Sequence, residues 1–244
     1  MTELLDLAQA RHPAESLAST AVDREMDRQV GVLLEHGIPE LLALPRDQFT
    51  QSVRELRPVL QRSVAARGGA TPADGRVPFI LVASGGPDQD MIGAEQQILL
   101  LRLPDGSAAG VLDRNHGPEG LAPYRPIDMV GPPPGPVYAL LDVDRGEEFR
   151  GVPPRDALPT IQARGRSPLT ILEGIAAVLL HPHLLAKNAC FMLSGSRRGD
   201  RRVPALWISK KAPKLGWCWD GNPHTWLGVA STAGRIPQPD SANA

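Results

Sequence analysis

The sequence predicts an α+β fold: a mostly antiparallel sheet with an N-terminal helical layer and a central helix pair. The first observation is a change of hydrophobic period. Apolar residues in 1–68 recur at spacings of three and four, whereas short β-branched and aromatic runs begin at Val77. The second is that most predicted strands are separated by short turn sequences, which favours hairpins and antiparallel pairing over a doubly wound fold.

The composition is that of an ordinary globular chain. It has 244 residues, of which 42% are hydrophobic and 22% charged, and a formal net charge of -1. A uniformly basic nucleic-acid-binding protein is therefore not expected. No apolar run approaches the roughly 20 residues that span a bilayer. The first residues lack the layout of a signal peptide, and two cysteines in a chain of this size favour reduced thiols. We therefore expect a cytoplasmic protein.

The helical region is residues 1–68. In the stretch STAVDREMDRQVGVLLEHG, Ser19 or Thr20 is a suitable N-cap and Gly37 ends the helix. A second apolar stripe follows from Phe49 to Leu60, and Pro58 inside it predicts a break or a kink. After a glycine-rich linker we expect an α+β core domain over residues 77–235 and a disordered tail over 236–244. Residues 1–68 are either a layer of the core domain or a separate subdomain.

The core domain is predicted to consist mostly of strands joined as hairpins, with two helices in its middle. VPFILVAS predicts a strand that ends in the loop SGGPDQD, and QQILLLRL and AAGVLD predict a hairpin around PDGS. VYALLDVD predicts another strand. Two helices follow, over residues 154–163 and after Thr170, where Thr170 and Glu173 have the spacing of a capping box. NACFMLSG and RVPALWISK predict a hairpin across SRRGD, and residues 215–231 predict one or two further strands.

The stretch GWCWDGNPHTWLG is the first candidate site. On a strand, Trp217 and Trp219 share one face and Cys218 points to the other. Two adjacent indoles form an apolar wall for a planar or cationic group, although packing in the core is the alternative. Asp220, Gly221 and the Asn-Pro pair that follows are turn formers, so His224 is expected on a tight loop.

A basic hairpin lies just before this stretch. Residues 187–214 hold eight Lys and Arg side chains and one acid, Asp200. Arginine forks bind carboxylate and phosphate groups. Our leading hypothesis is therefore a pocket for a small planar or anionic ligand. Its predicted lining consists of Trp217, Trp219, His224, Arg197, Arg198, Arg202 and Lys211. A solvated hairpin tip, in which Arg202 pairs with Asp200, is the alternative.

Two other function classes remain open. In an enzyme, a hydrolase or a transferase of specialised metabolism, Cys218 would be the nucleophile and His224 the base, with Asp220 the third catalytic candidate. The chain must reverse between Cys218 and His224 for them to meet. In an interaction module, hairpin residues 197–214 would bind a protein or a single-stranded nucleic acid, although the neutral net charge argues against nucleic acid.

No metal site is predicted, and the sequence does not identify a cofactor. The histidines and cysteines lack the spacings of a zinc site, and SGGPD lacks the lysine of a phosphate-binding loop. Asp142 and Asp144 alternate on one strand face, where solvation at a strand end is favoured over cation binding.

The segments SGSRRGDRRVPALWIS and GWCWDGNPHTWLG resemble an uncharacterised family of actinobacterial proteins of unknown function. The resemblance extends over residues 77–235. It implies a bacterial cytosolic protein and assigns no catalytic residue.

Overall fold

Six α-helices and twelve strands are described in residues 13–68, 74–106 and 108–239 of the computed structural model. The helices are α1 (Pro13–Glu35), α2 (Ile38–Leu41), α3 (Arg46–Ala65), α4 (Pro87–Gln97), α5 (Pro154–Ala163) and α6 (Ile171–Leu180). The strands are β1 (Arg76–Ala83), β2 (Val111–Leu112), β3 (Arg125–Pro126), β4 (Val137–Asp144), β5 (Ser167–Pro168), β6 (Cys190–Met192), β7 (Ser196–Arg197), β8 (Arg202–Ser209), β9 (Ala212–Trp219), β10 (Leu227–Val229), β11 (Ser231–Thr232) and β12 (Gly234–Ile236). No helix in these ranges combines the length and the apolar character needed to cross a membrane.

These strands form two five-stranded sheets and one two-stranded ribbon. Sheet 1 has the order β1-β4-β11-β5, with β12 also paired to β4, and all its pairs are antiparallel. Sheet 2 has the order β10-β6-β8-β9-β2, and only its two outer pairs are parallel. The α+β class and the predominance of antiparallel pairing are therefore confirmed, and the strands divide between two sheets.

The N-terminal helices form a layer on sheet 1, as predicted. Both α1 and α3 contact β1, and α3 also contacts β4. The predicted apolar stripe of α3 is buried, including Phe49, Leu56 and Leu60. Of the break or kink expected at Pro58, the break is wrong, because α3 continues through this residue, which lies on the exposed side of the helix. The kink stays a prediction. The predicted N-cap is also wrong, since α1 begins at Pro13. Whether residues 1–68 form a separate subdomain stays a prediction.

The capping box of α6 is confirmed. The Thr170 hydroxyl accepts from the Glu173 amide at 3.3 Å, and the Thr170 amide donates to the Glu173 carboxylate at 2.8 Å. Arg235 of β12 donates to the same carboxylate at 2.6 and 2.7 Å, and the Tyr138 hydroxyl of β4 donates to it at 3.2 Å. The start of α6, a helix buried over its whole length, is thereby fixed to two strands of sheet 1.

Two predictions between β1 and β4 are wrong. Residues 87–97 form α4 where SGGPDQD predicts a loop: Gly86, at φ 93°, ends the loop and Pro87 opens the helix. The predicted hairpin around PDGS is absent. Gly110 donates to the Leu101 carbonyl at 2.9 Å, and β2 then pairs with β9 instead of with the preceding segment.

The two sheets join where β10 runs into β11. Only Ala230 separates these strands, so the chain passes directly from sheet 2 to sheet 1. Gly146, at φ 72°, crosses this junction so closely that a Cβ there would lie 2.0 Å from the Val229 carbonyl oxygen. The next strand, β12, also belongs to sheet 1, where Ile236 pairs with Ala139.

The predicted disordered tail falls largely outside the described residues. Ile236, its first residue, belongs to β12. The Gln238 side chain donates to Glu55 of α3 at 2.5 Å, and residues 240–244 are not among those described.

Candidate functional site

A cavity of about 590 Å³ lies where the end of β1 and the start of β4 meet the starts of α4 and α6. We call it the β1–α4 cavity. Its lining consists of Leu44, Gln48, Ser84, Gly85, Gly86, Asp90, Met91, Tyr124, Arg125, Pro126, Pro132, Pro133, Pro134, Gly135, Pro136, Tyr138, Thr170, Leu172 and Ser196. This volume lies within the ~300–1,000 Å³ range of small-molecule sites. Segments far apart in sequence build it, and the PPPGP stretch supplies much of its apolar wall.

The polar side of the cavity is built at the end of β1. The Ser84 hydroxyl donates to one carboxylate oxygen of Asp90 at 2.8 Å, and the Gly85 amide donates to the other at 2.8 Å. The Ser84 amide donates to the Pro136 carbonyl at 2.9 Å, which ties this loop to the proline wall. Burial raises the pKa of Asp90 above its ordinary value, whereas its two hydrogen bonds lower it. No ion pair to Asp90 occurs among the residues that the structure describes.

The other charged groups near the cavity are compensated. Tyr138 lines it, but its hydroxyl is bonded to Glu173, which is paired with Arg235. Burial raises the pKa of Tyr138 well above its ordinary value, so the phenol stays protonated. Arg125 is exposed, and its guanidinium donates to the carbonyls of Ala122 and Tyr124 at 2.6 and 2.8 Å. Asp90 is therefore the carboxylate of the lining that has no cationic partner.

Trp217 and Trp219 lie on one face of β9, as the alternation predicts. Their ring centres are 4.8 Å apart, and 44% of the Trp219 side chain is exposed. The Arg202 guanidinium lies over the Trp217 ring at 4.7 Å, and the Trp217 indole donates to the Asn115 carbonyl at 3.0 Å. Trp217 is thus already covered, and Trp219 offers the open indole of the pair.

His224 lies on the opposite face of sheet 2. The β8–β9 register places Trp207 on the face away from Trp217. Trp207 contacts Trp226 edge-on at 6.3 Å, and Trp226 contacts His224 at 5.6 Å. The structure therefore does not bring His224 together with Trp217 and Trp219. None of these three residues lines the β1–α4 cavity.

The predicted positive charge is distributed along the hairpin. Arg197 donates to the Ser194 and Ser196 carbonyls at 2.9 and 3.2 Å. Arg198 pairs with Glu119 at 2.9 Å, and Arg202 lies 3.4 Å from Asp200, the pairing expected at a hairpin tip.

Lys211 sits at the other end of the hairpin, in the β8–β9 turn. Lys211 and Trp219 are eight residues apart along the strand. Because a strand rises about 3.3 Å per residue, the distance between them is roughly 25 Å. Lys211 and Trp219 therefore do not meet in one pocket.

The catalytic candidates do not form a catalytic group. Cys218 points away from Trp217, is 8% exposed, and has its sulfur 3.3 Å from that of Met192. Burial raises the pKa of the Cys218 thiol to about 12. Asp220 pairs with Arg201 at 2.9 Å. Within the described part of the chain, no hydrogen bond joins Cys218 to His224. This geometry argues against Cys218 as a nucleophile.

The two aspartates that alternate on one strand face, Asp142 and Asp144, lie beside arginines and do not form a free cation site. Asp142 pairs with Arg76 at 2.8 Å and with Arg166 at 2.6 Å, and Asp144 lies 3.4 Å from Arg76. In residues 13–68, 74–106 and 108–239, no three His, Cys, Asp or Glu side chains are grouped to hold a metal ion.

Sequence reasoning missed the residues of the β1–α4 cavity. The SGGP and PPPGP stretches were visible only as loops, and neither contains a catalytic or metal-binding motif. One sequence feature points to this site: SGGP directly follows the first predicted strand, and loops at strand ends often carry binding residues.

No curated protein and no solved structure matches this chain. A family model described as a family of unknown function, DUF5701, matches residues 32–238. The matched range covers both sheets and every residue that lines the β1–α4 cavity. The chain therefore belongs to DUF5701, a family of unknown function.

Proposed function

We propose that this protein binds a small molecule in the β1–α4 cavity. The observation that carries the proposal is the combination of an apolar wall with a localised polar group, formed by Ser84, Gly85 and Asp90. Sites of this kind bury the body of a ligand and orient it through a few polar contacts. We place the binding in the cytoplasm, a proposal that the two free cysteines support.

Binding suits this arrangement better than nucleophilic catalysis. Ser84 is hydrogen-bonded to a carboxylate, and no histidine is among the residues that line the cavity. A serine nucleophile needs an adjacent general base to remove its proton. Asp90 accepts the Ser84 proton in a hydrogen bond, and its other oxygen is held by the Gly85 amide, so we assign it to holding the loop in shape and not to carrying a proton away.

The cavity is tested by filling it with a larger side chain. Met91 lines the cavity, whereas its neighbour Ile92 is 55% exposed and does not. Met91→Trp should abolish binding of any ligand of the cavity, and Ile92→Trp is the matched control on the same helix. Small-molecule binding is measured by thermal shift against a compound library and by native mass spectrometry of the purified protein.

The expected result is that the same compounds stabilise the wild type and Ile92→Trp and lose their effect on Met91→Trp. Compounds that stabilise all three proteins equally would show that they bind elsewhere. If no compound stabilises the wild type and none co-purifies with it, the cavity has no ligand and the proposal is wrong.

The surface around Trp219 is a second candidate, for a planar anionic ligand. Two guanidiniums, of Arg155 and Arg201, approach Gly221 so closely that a Cβ there would lie 3.1 and 2.9 Å from them. Gly221 follows the exposed Trp219 by two residues, and Arg201 also pairs with Asp220 at 2.9 Å. Stacking on the indole combined with pairing to these guanidiniums suits a planar anion.

This surface is tested with nucleoside monophosphates as planar anionic probes, by isothermal titration. Trp219→Leu should weaken their binding at least about fivefold, since a stacked indole contributes ~1 kcal/mol or more. Leu99→Ala, a change at another exposed apolar side chain, is the control. Equal affinity in the wild type and Trp219→Leu would remove this candidate.

A further inference from the structure

We propose that the ligand of the β1–α4 cavity carries a protonated amine, which the carboxylate of Asp90 binds. This inference rests on the function proposed above and names the chemical class of the ligand.

The hydrogen bonding of Asp90 leaves room for a ligand. An ionised carboxylate offers about four acceptor positions. Two are taken, by the Ser84 hydroxyl and the Gly85 amide, both at 2.8 Å. Both donors belong to the same short loop, so they fix the carboxylate in one orientation. The remaining acceptor positions suit an ammonium group, which is a donor with no acceptor of its own.

The surrounding charges favour a cation over an anion. Glu173, which accepts a hydrogen bond from Tyr138, is neutralised by Arg235. Arg125 lies on the exposed side of the lining, with its guanidinium bonded to backbone carbonyls. Among the described residues of the lining, Asp90 is therefore the one carboxylate, and it has hydrogen-bond donors but no ion-pair partner. An anionic ligand would be repelled by it, whereas an ammonium would form a charge-assisted hydrogen bond.

The position of Asp90 explains how this charge persists without a ligand. Asp90 is the fourth residue of α4, and its amide donates to the Gly86 carbonyl at 2.8 Å. A carboxylate in the first turn of a helix is stabilised by the helix dipole. The lining next to it is aromatic and apolar, with Tyr138 and Met91. Such a lining suits the apolar body of an amine and the aromatic contacts that ammonium groups make.

The amine class also predicts a pH dependence. Burial raises the pKa of Asp90, so protons compete with the ligand as the pH falls through that pKa. Among the described residues, the other charged and titratable groups that line the cavity or adjoin its lining are Tyr138, Glu173, Arg235 and Arg125. The Tyr138 phenol stays protonated and the two arginines stay charged in the neutral range. Affinity should therefore rise with pH and fall again only when the amine loses its own proton.

The experiment compares three probes of similar shape on the full chain: 2-phenylethylamine, 2-phenylethanol and 3-phenylpropionate. Binding is measured by saturation-transfer NMR and by isothermal titration between pH 5 and 9. We expect the amine to bind the wild type at least about tenfold more tightly than the alcohol, with no binding of the carboxylate. Met91→Trp should abolish the binding of the amine.

Asp90→Asn is the decisive variant. The Asn side chain keeps an oxygen for the Gly85 amide, and the Ser84 hydroxyl is able to rotate and accept from the new NH₂ group. The difference between amine and alcohol should fall to about twofold or less in this variant. Asp156→Asn, at an exposed carboxylate of α5, is the matched control and should change nothing.

Three outcomes distinguish the amine class of the ligand from the more general proposal that the cavity binds a small molecule. Equal or tighter binding of the alcohol or the carboxylate, lost in Met91→Trp, would overturn the amine class and leave the binding function standing. Amine binding that survives Met91→Trp would place the amine outside the cavity and overturn the inference. If Asp90→Asn fails to fold, the wild type decides by carboxyl NMR titration: bound amine should lower the pKa of Asp90, and a pKa that the amine leaves unchanged contradicts a role for Asp90.

Discussion

At the residue scale, burial changes what Cys218 is able to do. The sequence places it next to Asp220 and six residues before His224, a setting that suggests a reactive thiol. In the structure the thiol faces the core beside Met192, because alternation on β9 directs it away from the exposed Trp219. Burial disfavours the thiolate, which is the nucleophilic form, and raises the pKa to about 12.

We predict that Cys218 is inert in the native protein. A pKa three units above the ordinary value of 9.0 corresponds to about a thousandfold less thiolate near pH 8. Alkylation by iodoacetamide at pH 8, followed by peptide mass spectrometry, should therefore be at least about a hundredfold slower in buffer than in denaturant. Labelling of native Cys218 at the rate of a free cysteine would revive the enzyme hypothesis.

At the element scale, the sequence predicts best where local signals agree. The helix over residues 154–163, the capping box at Thr170 and the strand VYALLDVD all appear as predicted, because periodicity and boundary residues point to the same structure. α4 was missed because its sequence, PDQDMIGAEQQ, lacks a clear apolar stripe. Its position depends on distant residues: a Cβ on Gly93 would lie 2.5 Å from the side chain of Leu42, which follows α2.

The hairpin predicted around PDGS was wrong for a related reason. QQILLLRL is apolar enough for a strand, but a short apolar run does not distinguish a strand from a buried turn. Ile98 and its neighbours form a 3₁₀ turn, and Val111 pairs with Lys214 of β9. The pairing partner of β2 is supplied by a segment about a hundred residues away, which no local pattern encodes.

At the scale of the whole molecule, the two sheets depend on one close backbone crossing. Gly146 precedes a 3₁₀ turn and approaches the end of β10, where Val229 donates to its carbonyl at 3.3 Å. The left-handed conformation at φ 72° disfavours a side chain, and the 2.0 Å that would separate a Cβ from the Val229 carbonyl oxygen excludes one. The loop between β4 and α5 is thereby held against sheet 2.

We predict that Gly146→Ala destabilises the protein far more than Gly151→Ala. Gly151 has a similar φ of 77°, but a Cβ added there would meet nothing within 4 Å, so its cost is the ~1–2 kcal/mol of a left-handed alanine. Gly146→Ala adds a steric clash with backbone and should lower the free energy of unfolding by at least about 3 kcal/mol. Urea denaturation measures both values, and equal losses would contradict the close crossing.

The sequence by itself determined the elements of this protein: an N-terminal helical layer, the capped helix α6, and the opposite orientations of Trp217 and Cys218. These features follow from interactions between residues close in the chain. The tertiary structure decided which residues meet. It placed His224 on the other face of sheet 2 from Trp217, although the two are close in sequence, because the chain turns after Trp219. It also built the β1–α4 cavity around Asp90 from distant segments, since strand pairing and burial are settled by the whole chain.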